Sequence, residues 1–406
     1  MNLTNLIKEE LAATLQRLEQ VEIGLKSRQQ ELNDRIAILD RFALISETDT
    51  RGVITYANPR FCEVSGYTLE ELIGKPHNIV RHPDMPKALF KELWETLKAG
   101  QIWQGEIKNR RKDGSHYWVL ATVGPIRDSD GEICRYVSIR VDITAQKALQ
   151  KANTELEESL LQNLQAAQFF QIGLMPILRP HHQEPLPLPH FVIWKPNQIV
   201  SGDFLWHHTE RKRTILVAGD AMGHGVFGGM LSVLFMQQMR SLVELSGVWT
   251  PERLAAEIDK NLSQLFRIAS DHPITVDGFI GVLDMARRRL SYTSLKGKAY
   301  LVREGQLQKL HSYPFSFGEG LGASAEEHEV ELQPGDRLYI LTDGLSNQYQ
   351  KSGDKPLGSK RVADLILSLQ SVPFHQQKDA FLTEIHRFSS QTVQSDDILL
   401  VGMEVE

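Results

Sequence analysis

The chain has 406 residues, 41% of them hydrophobic and 24% charged, with a formal net charge of −6. That length supplies two or three domains with sizeable cores, and the composition is that of an ordinary globular protein. The acidic balance, the lack of a basic block and the lack of any window near the ~18 apolar residues of a membrane span exclude a nucleic-acid binder and a membrane-spanning protein. Met1 to Leu11 does not read as a signal peptide, so the expectation is a cytoplasmic protein. Two cysteines, Cys62 and Cys134, stand without metal-ligand spacing and are expected as reduced core residues.

Residues 1–40 carry Leu11, Leu18, Leu25, Leu32 and Leu39 at seven-residue intervals, with Leu15 and Ile36 at alternate seam positions. Sustained heptads bury their stripe against another helix, which predicts a homodimeric coiled coil. The polar Glu22 and Gln29 in the same seam weaken it and fix its register. The alternative is one amphipathic helix lying on its own domain.

Residues 41–145 predict a small α/β domain. Strands are expected over Phe42–Glu47 and Val53–Tyr56, then short helical pieces to about Lys98, then strands Trp103–Arg111, His116–Arg127 and Ile133–Asp142. Asp113-Gly114 and Asp130-Gly131 serve as hairpin turns between the last three. Ala57-Asn58-Pro59-Arg60-Phe61, Ser65-Gly66-Tyr67, Glu70-Glu71-Leu72-Ile73-Gly74 and Asp142-Ile143-Thr144 give this segment its resemblance to a PAS sensor domain. His77-Asn78-Ile79-Val80-Arg81-His82-Pro83-Asp84-Met85-Pro86, Trp94 and Lys108-Asn109-Arg110 make it similar to the PAS module of bacterial aerotaxis receptors, which binds FAD and senses redox state. The resemblance implies FAD, with Arg81 and His82 at a flavin phosphate or ring edge and Trp94 or Trp103 lining the pocket. Haem, another small ligand and an empty pocket are the alternatives; read alone, Arg81 to Asp84 stabilise a loop and the tryptophans are core.

Residues 146–187 form a linker. Leu149, Leu156, Leu160, Ala167, Phe170 and Leu174 lie on a seam whose spacings alternate between four and three once the polar Asn153 and Asn163 are included, predicting a second coiled coil interrupted by those two residues. The helix is expected to stop before Pro176, and Pro180, Pro185, Pro187 and Pro189 mark the boundary. The pairs His181-His182 and His207-His208 lack cysteine partners and are expected to be solvated rather than metal-binding.

From residue 188 onward the pattern is acids at the ends of apolar runs. Asp220 closes Ile215 to Gly219, Asp343 closes Leu338 to Thr342, Asp203 follows Ile199 to Gly202, and Asp396-Asp397 open Ile398 to Val401. One such acid reads as a helix cap. Four or five converging in one cleft repel one another, about 1 kcal/mol per pair at 4 Å in water and about 4 at an effective dielectric of 20, and so imply divalent cations with oxygen ligands. Gly223-His224-Gly225-Val226-Phe227-Gly228 also fits a dinucleotide-binding spacing. That reading needs an acid at a following strand end, and Glu244 lies at the end of a predicted helix instead.

Val200 to Phe204, Gly219 to Gly225, Gly335 to Gly344 and Ser395 to Ile398 occur in the order found in the SpoIIE-type branch of the PPM (metal-dependent) serine/threonine protein phosphatases, which the chain resembles from about residue 188 to its end. The resemblance implies two Mn²⁺ or Mg²⁺ ions held by Asp203, Asp220, Asp343 and Asp396 with the Ala221 carbonyl. It also implies attack of a metal-activated water on a phosphoserine or phosphothreonine of a regulatory protein, such as an anti-sigma-factor antagonist. The chain departs from that family at Trp206, where a second acid is common, and at Asn347, near which a Glu is common. Gln171 to Pro176 resembles the end of the regulatory helix that precedes such catalytic domains.

The expected architecture is multidomain: a coiled-coil helix (1–40), an α/β PAS domain (41–145), a helical coiled-coil linker (146–187) and a phosphatase domain (188–406), the last an α/β sandwich of two antiparallel sheets flanked by helices. The expected function is a sensor-regulated protein phosphatase. The alternative is a non-catalytic sensor–scaffold that binds a partner protein.

Overall fold

The computed structural model describes residues 3–178, 186–266, 274–349, 356–389 and 394–406, with 3–13, 36, 266 and 389 described by backbone alone. The chain divides into two compact units, Met1–Glu157 and Glu158–Glu406.

The first unit opens with α1 (Leu3–Phe42), a 40-residue helix on which Leu18, Leu25, Leu32 and Leu39 are all exposed. Next come β1 (Leu44–Thr48), β2 (Ile54–Ala57), α2 (Pro59–Ser65), α3 (Leu69–Leu72), α4 (Lys87–Lys98), β3 (Trp103–Arg110), β4 (His116–Arg127) and β5 (Ile133–Asp142). The strands form one antiparallel sheet in the order β2-β1-β5-β4-β3. Asn58 sits wholly buried where α1, β1 and α2 meet: its side-chain oxygen accepts from the amides of Ile45 and Phe61, and its Nδ2 donates to the Ala43 carbonyl and to Asp40. Thr68 and Glu71 close a capping box that starts α3. Cys62 is half-buried as expected of a core residue; Cys134, expected in the core, is exposed, because it falls at the start of β5 where the register with β4 shifts and Cys134 has no cross-strand partner in that register.

Helix α5 (Thr144–Leu174) ends one residue before Met175. Leu149, Leu156, Leu160 and Phe170 on its predicted seam are exposed, whereas Leu174 and Met175 pack into the core of the second unit. Gln171 is fully buried there: Nε2 donates to the Ser201 carbonyl (2.5 Å) and Ser232 Oγ (2.7 Å), and Oε1 accepts from the Ser201 amide (3.2 Å).

The second unit contains β6 (His190–Lys195), β7 (Asp203–Glu210), β8 (Arg213–Ala221), α6 (Gly225–Arg240), α7 (Pro251–Phe266), β9 (Val276–Asp284), β10 (Arg289–Leu295), β11 (Lys298–Arg303), β12 (Gln306–Lys309), β13 (His328–Glu331), β14 (Arg337–Leu341), α8 (Gly344–Asn347), α9 (Gly358–Ser368), α10 (Phe374–Ser389) and β15 (Ile398–Glu404). Two antiparallel sheets result, β13-β10-β9-β8-β7 and β12-β11-β14-β15-β6. Strand alternation assigns each residue a layer. Leu216 and Ala218 of β8 meet Ile340 and Val401 of the other sheet, while Ile215 and Val217 meet Leu231 and Phe235 of α6 and Leu254 and Ile258 of α7. On the far side, Tyr339, Leu341 and Leu400 pack on Val362 and Ile366 of α9 and Phe381 of α10. Both faces of each sheet are covered, which is why these strands read as continuous apolar runs rather than alternating ones.

The predicted helix from Val226 is α6 followed by a π-helical turn, Ser241–Leu245, and Glu244 lies in that turn, not at a strand end. His207, expected in solvent, is buried in β7, and His208 is half-buried beside Glu244 at 3.6 Å, because the strand runs between α6 and the opposite sheet. His181-His182 lie outside the described residues.

Candidate functional site

At one end of the sandwich the two sheets present their acids. Asp203 opens β7 and lies directly opposite Asp220 near the end of β8, and Asp220 in turn lies opposite Asp277 on β9. Asp343 follows β14 at the start of α8, and Asp396 and Asp397 precede β15. Thr342 ties the sheets together, its hydroxyl donating to Asp203 Oδ2 at 2.6 Å.

The electrostatics follow from this crowding. Burial, then the nearby carboxylates of Asp203 and Asp343, push the Asp220 carboxyl up to about 10. Asp203, 1% exposed, is raised well above the carboxylate range by burial and then by Asp397, Asp396 and Asp343, against the opposing pull of Thr342. Asp396 and Asp277 are raised too, again chiefly by burial. Asp203 Oδ1 is buried with no hydrogen-bond partner. A buried oxygen left over in a cluster of mutually repelling carboxylates suits a hard divalent cation, whose charge offsets the repulsion. Among the described residues, no three His, Cys, Asp or Glu side chains are grouped to hold an ion as they stand.

Asn347, standing near the position where an acid was expected, donates from Nδ2 to Asp343 Oδ2 (2.8 Å) and Asp396 Oδ2 (3.4 Å). Trp206, at the other departure, is a core residue against α6 and α7. Ala221 is fully buried, and its amide donates to the Gly202 carbonyl. A Cβ at Gly202 would stand 2.7 Å from the Ala221 carbonyl oxygen and 3.1 Å from that of Gly223, so the approach of these loops needs glycine there.

Three residues at this site, Lys298, Asp277 and Thr342, were not singled out by sequence as site residues, and a fourth, Asp397, was named beside Asp396 without a role of its own. Asp397, adjacent to Asp396, points elsewhere: Oδ1 accepts from the Asn197 amide (2.6 Å) and Oδ2 from the Gly202 amide (2.7 Å). Lys298, first residue of β11, donates to Ser346 Oγ at 2.7 Å; burial lowers its pKa while Asp343, Asp220 and Asp277 hold its charge. Asp277 and Thr342 complete the set. An acid two residues before the apolar stretch Phe279 to Leu283 is the one signal that pointed to Asp277.

The first unit encloses a cavity of about 280 Å³ between its sheet and α4. Of the three candidate cofactor residues, Arg81 and Trp94 line it; His82 is not among its lining residues and lies 3.4 Å from Asp84. Arg81 stacks 3.9 Å above the Phe90 ring and donates to the Met85 carbonyl. Trp103 is buried but does not line the cavity. Asn109 Nδ2, Ser138 Oγ and Arg140 Nη1 belong to lining residues and have no hydrogen-bond partner. Apolar walls plus unpaired donors fit a planar ring carrying acceptor atoms on one edge, as a flavin does.

Residues 210–406 match the family profile described as Stage II sporulation protein E (SpoIIE), and residues 54–140 the one described as PAS fold. The first contains Asp220, Asp343 and Asp396, with Asp203 just ahead of it. The aerotaxis receptor of Escherichia coli (strain K12) is 52% identical over 120 residues, which are 28% of this chain and 24% of the receptor. The nitrogen fixation regulatory protein of Klebsiella pneumoniae is 34% identical over 126 residues, 30% of this chain and 26% of that protein. The chain thus spans about a quarter of the length of these curated relatives. Among solved structures, the SiaA-PP2C domain of Pseudomonas aeruginosa superposes with a TM-score of 0.56 at 24% identity, covering 62% of this chain and 99% of that one. The chain therefore combines a PAS-like sheet with a PP2C-like sandwich of two antiparallel sheets and flanking helices.

Proposed function

Starting from a PAS segment followed by a SpoIIE segment, we infer that the protein is a sensor-regulated, metal-dependent protein serine/threonine phosphatase acting on a phosphorylated regulatory protein, an anti-sigma-factor antagonist being the class implied. The observation that carries this reading is the Asp203–Asp220 cross-strand pair with Asp343 and Asp396 coupled to it from the opposite sheet. These four carboxylates and the Ala221 carbonyl would hold two Mn²⁺ or Mg²⁺ ions. Such ions, when bound, supply a water of lowered pKa and positive charge for the phosphoryl group.

The chain's own groups prepare that site. The Thr342 hydroxyl occupies Asp203 Oδ2 and leaves Oδ1 free. The Asn347 amide holds Asp343 and Asp396 in one orientation. Asp397 fixes the loop on which Asp203 begins, through the Asn197 and Gly202 amides. Lys298 brings a partly dehydrated ammonium close enough to Asp343 and Asp220 to meet a substrate's phosphate.

The exposed seams of α1 and α5 support a homodimer, and Gln171, anchored two residues' reach from Asp203, supports control of the site through α5. FAD is the cofactor read for the PAS cavity. No helix among the described residues is long and apolar enough to cross a membrane; cytoplasmic placement stays part of the proposal.

A second reading, a non-catalytic scaffold, is favoured by one observation: among the described residues, no three His, Cys, Asp or Glu side chains are grouped to hold an ion. Assay of the full chain on a phosphoserine peptide with and without Mn²⁺ decides between them. Metal-stimulated phosphate release that disappears in Asp220→Asn supports the phosphatase; none in either protein supports the scaffold.

A further inference from the structure

Arg140 lies on β5, 4% exposed, and none of the ion pairs among the described residues includes it. Its Nη2 meets His77 Nε2 at 2.6 Å, its Cζ stands 5.2 Å from the Phe61 ring centroid, and its Nη1 has no partner. Neither titratable neighbour supplies a counter-charge. Burial and the guanidinium itself keep His77 neutral, and burial pushes the Tyr117 phenol up to about 12, so it too stays neutral. A guanidinium resists deprotonation, so a cation remains in the interior without an anion.

That cation borders the cavity. Ser138, two residues back on the same face of β5, and Asn109 on β3 border it as well, each with an unpaired polar atom. The sheet wall therefore offers three donors and the Arg140 charge, while Phe90, Leu93 and Trp94 of α4 make the opposite wall apolar or aromatic; of the two other arginines at the cavity, Arg51 is paired with Asp49 and Arg81 is stacked on Phe90. Water can satisfy spare donors but brings no negative charge.

We propose that Arg140 is the charge-selecting residue of the sensor cavity, holding a ligand edge that carries acceptor atoms and a negative charge. The inference rests on the flavin reading above and gives it direction. Oxidised flavin is neutral; taking up two electrons from an external reductant and one proton at N5 leaves N1 deprotonated and the ring with one negative charge. Arg140 then binds the reduced form more tightly than the oxidised one, which raises the reduction potential and joins redox state to the hydrogen bonds of β5 and His77.

The test is a dithionite titration of the FAD-loaded full chain followed by absorbance, comparing wild type with Arg140→Gln, Arg140→Lys and Ser138→Ala. Arg140→Gln is expected to lower the affinity for reduced relative to oxidised FAD at least tenfold, a fall of about 30 mV in midpoint potential. Arg140→Lys, which keeps the charge, recovers most of that shift, and Ser138→Ala, which keeps Arg140, moves it much less. Arg140→Gln that holds FAD at the wild-type potential overturns the role of Arg140 and leaves the flavin reading standing. Should Arg140→Gln fail to fold, a potential about 30 mV or more below wild type in the charge-keeping Arg140→Lys, or in Ser138→Ala, overturns it equally. A wild-type protein that takes up no FAD overturns both readings.

Discussion

Asp397 and Gly202, 195 residues apart in sequence, are joined by a 2.7 Å hydrogen bond from the Gly202 amide to the Asp397 carboxylate. The other carboxylate oxygen takes the Asn197 amide, so one buried acid staples the entrance of β7 to the start of β15. Asp397→Ala leaves one buried and one part-buried amide unpaired and is expected to destabilise the second unit by about 2–4 kcal/mol, with turnover falling more than about tenfold. Asp396→Asn is expected to lose turnover with little loss of stability. Urea unfolding beside a phosphatase assay separates the two; an unchanged midpoint for Asp397→Ala would falsify the staple.

Asp220→Asn removes the carboxyl that its neighbours push up to about 10. Metal-stimulated hydrolysis is expected to fall at least about a thousandfold, or ~4 kcal/mol of barrier, while the metal-free protein melts no lower than wild type. Full activity in the purified variant removes the two-metal assignment.

Gly202→Ala places a methyl 2.7 Å from the Ala221 carbonyl oxygen, which is backbone and yields little. Metal-concentration curves are expected to shift upward about tenfold, ~1.4 kcal/mol, with the far-ultraviolet circular dichroism unchanged. At Gly344 a Cβ would overlap the Asp397 carbonyl oxygen, so Gly344→Ala is expected to cost both stability and turnover. Wild-type metal curves for Gly202→Ala would show that Ala221 has room to spare.

The His77 imidazole is held well below its usual value of 6.5, first by burial and then by Arg140. A base kept neutral in the fold but free to protonate in the unfolded chain stabilises the fold fully above pH 6.5. That contribution is lost as pH falls from there through the depressed folded value, by up to about 1.4 kcal/mol per pH unit. Thermal melts of the PAS transition at about pH 7.5 and at about pH 5, above and below the ordinary histidine value, should fall with acid in the wild type and fall less in His77→Gln. Parallel curves would mean that another group carries the acid sensitivity.

Inserting four residues after Asn163 changes the face that α5 presents at its far end. Activity is expected to lose its dependence on the sensor's redox state while metal-dependent turnover persists. A parental response in the insertion protein would rule out transmission by helix phase.

The sandwich was legible because both sheets are covered on both sides, so their strands stand out as long apolar runs, each acid marking an end. The PAS strands were legible for a different reason: Asp113-Gly114 and Asp130-Gly131 punctuate them, and the observed β3, β4 and β5 fall within one residue of expectation. What sequence does not carry is which way an acid turns. Asp396 and Asp397 look alike in a row, yet one faces the acid cluster and the other is spent on backbone amides, a difference decided by loops near residue 200. Arg140 was illegible too. In Val137-Ser138-Ile139-Arg140-Val141 it reads as an outward polar residue of an alternating strand, and only the closed sheet and α4 turn that face inward.

Gln171 gives the catalytic unit a reading head of fixed azimuth. Each residue of α5 turns the chain by about 100°, so seven residues added or removed bring Gln171 back to within about 20° of Ser201, whereas one, two or five swing the amide away. Any input domain spliced onto this helix is then admissible only at certain lengths, spaced by whole heptads. Recombination among sensors over evolutionary time would leave that quantisation as its trace, linkers varying freely in composition and stepwise in length.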